Sequence, residues 1–260
     1  MTIPQQRTAA LIIIGNEILS GRTQDKNLAF VATFMNQRGI RLKETRVVLD
    51  DYDAIIEAVN ICRKKYDYVI TTGGIGPTHD DITPEAISRA FDVPYEYHPE
   101  AVLDLKKHYK PEMLNEARMK MAKMPKGSRL IRTPMSGAPA FAYENVYVLA
   151  GVPKIMQSML ESVSGEFGEG PAMLTRSMTC LLPEGTVAEG LTQVQNNHPN
   201  LEIGSYPFSR ENLWGTVLVT RGFSYPEIDK ACLEIENLVK SLDGQIIEET
   251  SVHENCPYHG

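Results

Sequence analysis

Along the first third of the chain, apolar positions change period in a regular order. Thr8 to Ile14 is a continuous apolar run closed by Gly15, which predicts a buried strand. Leu28, Val31, Ala32 and Met35 then recur at helical spacing, which predicts a helix capped by Asp25 or Asn27, running to about Arg38 and ended by Gly39. Ile40 to Leu49 alternates as a second strand. Asp50-Asp51 caps a helix that carries Ile55, Ile56, Val59 and Cys62 on one face. Tyr68-Val69-Ile70-Thr71-Thr72 is a third, β-branched strand, and it stops at Gly73-Gly74-Ile75-Gly76. This alternation predicts an α/β domain with a mainly parallel sheet. Ligands in such sheets bind beyond the carboxyl ends of the strands, so the glycine-bounded loops 15–21 and 73–83 are expected to share one crevice.

The pattern weakens afterwards. Tyr95 to Ala122 reads as helix broken at Pro99 and Pro111 into two amphipathic pieces, the first with a basic face at Lys106, Lys107 and Lys110. Leu130-Ile131, Phe141 to Tyr143 and Val146 to Leu149 read as short strands, the last two joined in a hairpin at Glu144-Asn145. The loop Thr133 to Pro139 is bracketed by prolines, and Gly151-Val152-Pro153 opens a helix to about Val163. Ser164 to Pro171, rich in glycine, predicts a linker between a first domain, residues 1–165, and a small α+β module, residues 172–247. Strands are expected at Thr175 to Leu182, Leu201 to Ile203 and Trp214 to Thr220, and helices at Val187 to Asn196 and Tyr225 to Leu242. Tyr206, Phe208 and Trp214 are assigned to the module's core. Residues 1–7 and the 248–260 tail are read as frayed ends.

Composition narrows the class. The 260 residues are 42% hydrophobic and 23% charged, ordinary for a soluble globular protein, with a formal net charge of −7. That acidity argues against nucleic acid as a partner, and residues 172–247 contain no G-x-x-G loop of the kind a KH module uses. The Ala9 to Ile14 run is too short to span a bilayer and Met1 to Arg7 lacks a signal peptide's features, so no membrane attachment and a cytoplasmic location are expected. Cys62, Cys180, Cys232 and Cys256 form no C-x-x-C pair, and six scattered histidines show no metal-ligand spacing. His79 alone lies near candidate chemistry.

That chemistry sits between the third strand and the next helix. Gly73, Gly74 and Gly76 let backbone N–H groups approach an anion, and Thr83-Pro84-Glu85 reads as a helix start with Thr83 as N-cap. Asp80 and Asp81 lie between them. Carboxylates at a phosphate site repel the ligand unless a divalent cation bridges them, so Mg²⁺ or a related cation such as Co²⁺ is expected on Asp81 and Asp80, with Glu17 as a further ligand. Asn16, Ser20, Ser136 and Gly137 are ligand-binding candidates by position. Each feature alone has a plainer reading: a glycine turn as a tight connection, loop acids as solvated groups.

Gly15-Asn16-Glu17-Ile18-Leu19-Ser20-Gly21, the run Thr72 to Ala86, Asn115-Glu116-Ala117-Arg118 and Gly137-Ala138-Pro139 together resemble the CinA-type branch of the molybdopterin-binding (MoaB/MogA-like) family. Ile203-Gly204-Ser205-Tyr206-Pro207 resembles the KH-like module that follows in CinA proteins. The resemblance implies a three-layer α/β/α first domain, a nucleotide or molybdopterin-type ligand, a homo-oligomer (dimer or trimer), and catalysis by Asp81 with a divalent metal. It implies hydrolysis of a pyrophosphate bond in an ADP-ribose-like or FAD-like substrate, with binding without turnover and molybdopterin adenylyl transfer as alternatives. Two departures stand out. Asn16 replaces an acid often found in the first loop, and Ala140 replaces a glycine in the later one.

Overall fold

The computed structural model describes residues 6–168, 170, 171, 173–210, 213–250, 253 and 254. It divides into two units, Met1–Gly170 and Pro171–Gly260.

In the first unit, β1 (Thr8–Ile14), β2 (Arg41–Val48) and β3 (Tyr68–Thr72) alternate with α1 (Asn16–Leu19), α2 (Asn27–Gln37) and α3 (Tyr52–Lys65), and α4 (Thr83–Ala90) follows the glycine turn. The chain continues through β4 (Tyr95–Tyr97), α5 (Pro99–His108), α6 (Glu116–Lys120), β5 (Lys123–Pro125), β6 (Arg129–Ile131), β7 (Ala140–Tyr143), β8 (Val146–Leu149) and α7 (Pro153–Ser162). Six strands form one sheet in the order β2-β1-β3-β8-β7-β6. β2, β1, β3 and β8 are parallel, and β7 and β6 add antiparallel at one side. Every residue of β3 is buried, as expected of a central strand covered on both faces. α2 packs with α7, and α3 with α4, on the two sides of the sheet. The expected three layers are present.

The order of the strands locates the crevice. From β1 the chain moves to β2 on one side, then crosses to β3 on the other, so the sheet's winding reverses between β1 and β3. Doubly wound sheets place the ligand crevice at such a reversal, between the loops that follow the carboxyl ends of the two strands.

Several segments differ from expectation. Loop 15–21 contains a one-turn helix, α1. Asp25, two residues before α2, accepts the Leu28 N–H at 2.9 Å and supplies the cap, while Asn27 is the first helical residue. Within Tyr95 to Ala122 the two expected helical pieces are α5 and α6, but the segment opens as strand and not as helix. β4 pairs antiparallel with β5, Tyr95 opposite Pro125, and one 3₁₀ turn at Pro111–Met113 separates α5 from α6. Pairing across nearly thirty residues overrides local helix propensity there. The glycine-rich linker also begins later than expected. Phe167 is 3% exposed, edge-on to Phe34 and Tyr68 and tilted against Tyr147, so the first core reaches past Val163.

In the second unit, β9 (Leu174–Cys180), β10 (Glu202–Arg210), β11 (Leu213–Gly222) and β12 (Ile246–Glu249) form an antiparallel sheet ordered β10-β11-β9-β12, and β13 (His253–Glu254) also pairs with β9. α8 (Glu184–Asn197) and α9 (Tyr225–Ser241) bury Val187, Leu191, Ile228 and Ile235 in the unit's core. β12 and β13 fall partly in the region read as a frayed tail; strand pairing with β9 orders them. β10 is far longer than Leu201 to Ile203, its polar sequence and Pro207 being tolerated on an edge strand. Tyr206 and Trp214 are 44% and 60% exposed, so they are surface residues and not core. Cys62, Cys180 and Cys232 are buried free thiols, pushed up from the usual thiol range by burial. Cys256 and the first five residues lie outside the described residues.

Candidate functional site

The cleft is built by contact between the two loops. Gly73 and Gly74 have φ of 106° and 66°, the left-handed region that glycine enters without cost. A Cβ on Gly73 would stand 2.1 Å from the Ile14 carbonyl oxygen, so the turn lies directly on the end of β1. On the other side Gly151, after β8, comes within 3.3 Å of the Gly73 Cα by the same measure. Protein atoms, before any ligand, already require glycine here.

Thr83 has a different task from the one its sequence context suggests. It is fully buried, and no side chain caps α4. Its hydroxyl donates to the Gly73 carbonyl at 3.0 Å, and its N–H donates to the Gly74 carbonyl at 3.1 Å. The first turn of α4 is thereby spent on holding the glycine turn, since Pro84 has no N–H to offer. Gly73 is committed too: its N–H donates to Leu149 at 3.1 Å. Among the described residues, the N–H groups of Gly74, Ile75 and Gly76 have no intramolecular acceptor. On the turn itself, those three are the donors available to an anion.

The acids line the same loop. Asp81 Oδ2 accepts from the Thr78 N–H at 2.8 Å and lies 2.5 Å from the Thr78 hydroxyl, which is equally close to Asp80 Oδ1. One hydroxyl proton serves only one carboxylate at a time. Asp81 Oδ2 also stands 2.6 Å from where a Cβ on Gly76 would be, so the acid faces the glycine turn across its own loop. The Thr78 hydroxyl, then the Asp80 backbone N–H, hold the Asp80 carboxyl below the usual range. Asn16 and Asp50 form a reciprocal pair: the Asn16 N–H donates to Asp50 Oδ2 at 2.8 Å, and the Asp50 N–H to Asn16 Oδ1 at 3.3 Å. Burial pushes the Asp50 carboxyl up against the Asn16 N–H, and the charges of Glu17, Asp80 and Asp81 add to the push. Four carboxylates therefore share one field at the sheet's carboxyl edge. Glu17 folds back over Gly15, its oxygens 2.6 and 2.7 Å from a Cβ built there. His79 is almost wholly exposed.

Ser20, Ser136 and Gly137 stand apart from this group. The Ser20 hydroxyl donates to the Glu17 carbonyl at 3.3 Å and closes α1. Ser136 accepts from the Ala138 N–H at 3.0 Å, and a Cβ on Gly137 would meet the His108 ring at 2.3 Å. Both line a separate cavity of about 330 Å³ with Asp104, Lys107, His108 and Arg132. β6 runs parallel to β3, so this cavity opens at the same sheet edge, three strand spacings or roughly 14 Å along it.

Residues 10–167 match the family model described as "Probable molybdopterin binding domain". The chain belongs to the molybdopterin-binding domain family. Within it the chain is CinA-like: the crystal structure of CinA from Thermoplasma acidophilum, described as of unknown function, superposes with a TM-score of 0.59 at 35% identity, covering 62% of this chain and 97% of that one. A protein of Archaeoglobus fulgidus is 34% identical over 235 residues, 88% of this chain and 96% of its own length. Residues 172–249 match the model "FAD synthase, middle domain". A protein of Caenorhabditis elegans named probable FAD synthase is 28% identical across 94% of this chain, which spans 52% of that protein. No helix among the described residues is long and apolar enough to cross a membrane.

Three residues of this molybdopterin-binding domain escape a reading of the motif alone. Asp50 reads as a helix cap, although Asp51 does the capping, at 3.0 Å to the Ala54 N–H. Thr78 lies inside the motif but shows its role only when both acids turn toward it. Lys120, from α6, donates to the carbonyls of Thr78 and Asp81 at 3.1 and 2.9 Å. Nothing in the sequence links it to a loop some forty residues earlier.

Proposed function

We propose that the cleft between β1 and β3 hydrolyses the pyrophosphate bond of an ADP-ribose-like or FAD-like substrate with the help of a divalent cation. One observation carries this reading: the unpaired N–H groups of Gly74, Ile75 and Gly76 lie beside carboxylates that each leave an oxygen without a protein partner. The N–H groups suit phosphate oxygens, and the acids suit a hard cation.

The donor set fits Mg²⁺ or Co²⁺ arriving with the substrate. Among the described residues no three His, Cys, Asp or Glu side chains form a ready-made ligand cluster. Mg²⁺ is commonly held by one or two carboxylates, with substrate phosphates and water completing its shell. Asp81 and Asp80 would hold the cation, with Glu17 near enough to feel the same field. A cation bound there supplies charge neutralisation on the pyrophosphate and a more acidic water. The rest falls to the chain's own groups. Gly74, Ile75 and Gly76 orient the phosphates, Thr83 keeps that turn rigid, and Thr78 sets the direction of both acids.

Similarity to a protein named probable FAD synthase, and the match of residues 172–249 to the FAD synthase middle domain, support a nucleotide-type ligand. The test is AMP release from ADP-ribose and from FAD, followed by chromatography with Mg²⁺, Co²⁺ or chelator. Metal-dependent AMP that disappears in Asp81→Asn is expected. A second reading, ligand binding without turnover, is favoured by Asn16, whose amide is tied to the Asp50 backbone where an acid would add a further metal donor. It predicts tight binding by calorimetry and no AMP under any condition. In either reading, assembly into a dimer or trimer is tested by ultracentrifugation.

A further inference from the structure

We infer that Lys120 binds the ligand directly, donating to a phosphate oxygen held over the Gly74–Gly76 turn. The inference rests on the anion site proposed above but not on hydrolysis there. An ammonium has three N–H donors. Two of them go to the Thr78 and Asp81 carbonyls at 3.1 and 2.9 Å, and Lys120 has no carboxylate within ion-pair distance among the described residues. A lysine that ties down a loop needs only those two bonds. The third donor has no acceptor among the described residues, and the charge, felt by Asp80 and Glu85 without a direct ion pair to either, sits on a half-buried side chain at the rim of a cleft dominated by acids.

The position of that charge follows from the loop. Asp81, whose carbonyl Lys120 binds, has its carboxylate against Gly76, and Gly76 carries one of the three unpaired N–H groups. The ammonium and those N–H groups therefore flank one short segment, residues 74–81. A phosphate there brings oxygens that accept but cannot donate, which matches a free ammonium proton and repels the carboxylates. Lys120 would provide the fixed cationic partner of the phosphate, present whether or not a metal is bound. The sugar and base of a nucleotide offer that charge nothing comparable, so its selectivity is for the diphosphate part.

The test uses the full chain and inorganic pyrophosphate, titrated by calorimetry in chelator and again with Mg²⁺, over a range of NaCl. Lys120→Met is expected to weaken pyrophosphate binding by about 10- to 100-fold, as for loss of a hydrogen bond to a charged group. It should also flatten the salt dependence, because one charge contact is gone. Lys120→Arg should recover most of the affinity. Circular dichroism verifies folding, and Lys120→Gln serves in place of Lys120→Met if that variant does not fold. An affinity loss with the wild-type salt dependence would make Lys120 a tether only and overturn the inference, as would an unchanged affinity or a wild-type chain that binds no pyrophosphate. The hydrolysis reading fails separately: if wild type releases no AMP while Lys120→Met still loses pyrophosphate, Lys120 keeps its role and the hydrolase does not.

Discussion

The buried hydroxyl of Thr83 donates to the carbonyl of Gly73 at 3.0 Å, fastening the start of α4 to the end of β3 across a ten-residue loop. Replacing Thr83 by Val keeps the shape and removes the donor. It strands a buried carbonyl, at a cost of about 1–3 kcal/mol. Urea unfolding should show that loss, and Thr83→Ser should show much less. Pyrophosphate affinity should fall with it, since the same bond sets the path of Gly74.

Gly74→Ala offers a controlled comparison with Gly21→Ala. Both glycines have positive φ, 66° and 72°, so both substitutions incur the left-handed penalty of about 1–2 kcal/mol. Only at Gly74 would the new Cβ collide, 2.2 Å from the Thr83 hydroxyl oxygen, whereas Gly21 faces open space. Gly74→Ala should therefore be clearly the more destabilising in denaturant melts and should abolish anion binding. Equal costs at the two sites would mean that the packing of Thr83 on the turn is unimportant.

The frame of this site is legible in the residues, and its wiring is not. The apolar run Thr8 to Ile14 and the β-branched run ending at Thr72 announce two central strands, because complete burial demands such composition. The glycines announce a turn that no other residue makes easily. Thr83 misleads, because Thr-Pro-Glu has the form of a helix cap while the hydroxyl's actual acceptor lies ten residues back in the chain. β4 and β5 are hidden for a related reason: each is three residues long, and only their mutual pairing makes them strands. Ser136 and Gly137 are read as belonging with Gly73, yet the intervening β8 and β7 carry them along the sheet edge. Distances across a sheet depend on strand order, and no local pattern encodes that order.

Glu44 gives the first unit a pH-dependent contribution. It accepts from the Tyr66 hydroxyl at 2.5 Å, from Arg46 at 2.7 Å and from Lys65 at 3.0 Å. Those bonds, the Tyr66 hydroxyl foremost, draw its carboxyl down to about 2. The folded value lies below the unfolded one, so the stabilisation is fully present above the ordinary glutamate range and is lost as pH falls through about 2. Glu44→Gln should lower stability on the order of 1 kcal/mol at neutral pH, as expected for a group that keeps solvent contact. Melting temperatures of the variant and wild type, followed from pH 7 to pH 2, should converge at the acid end. A gap that persisted there would assign the effect to packing.

Phe167 closes the first core from beyond the last long helix. Its ring lies 5.1 Å from that of Tyr68, 4.8 Å from Tyr147 and 5.7 Å from Phe34, joining β3, β8 and α2 at the end of the sheet opposite the cleft. That placement predicts a separation of stability from function. Truncating a buried phenylalanine to alanine costs about 3–5 kcal/mol through lost burial and the cavity left behind. Phe167→Ala should therefore lower the urea midpoint of the first unit severely. Pyrophosphate affinity measured well below that midpoint should stay close to wild type, because the donors of Gly74, Ile75 and Gly76 are held by Ile14, Leu149 and Thr83 and not by the aromatic cluster. A parallel loss of affinity in the folded variant would show that the cluster tunes the cleft through the length of β3, and would move the control of the glycine turn from its own hydrogen bonds to the core.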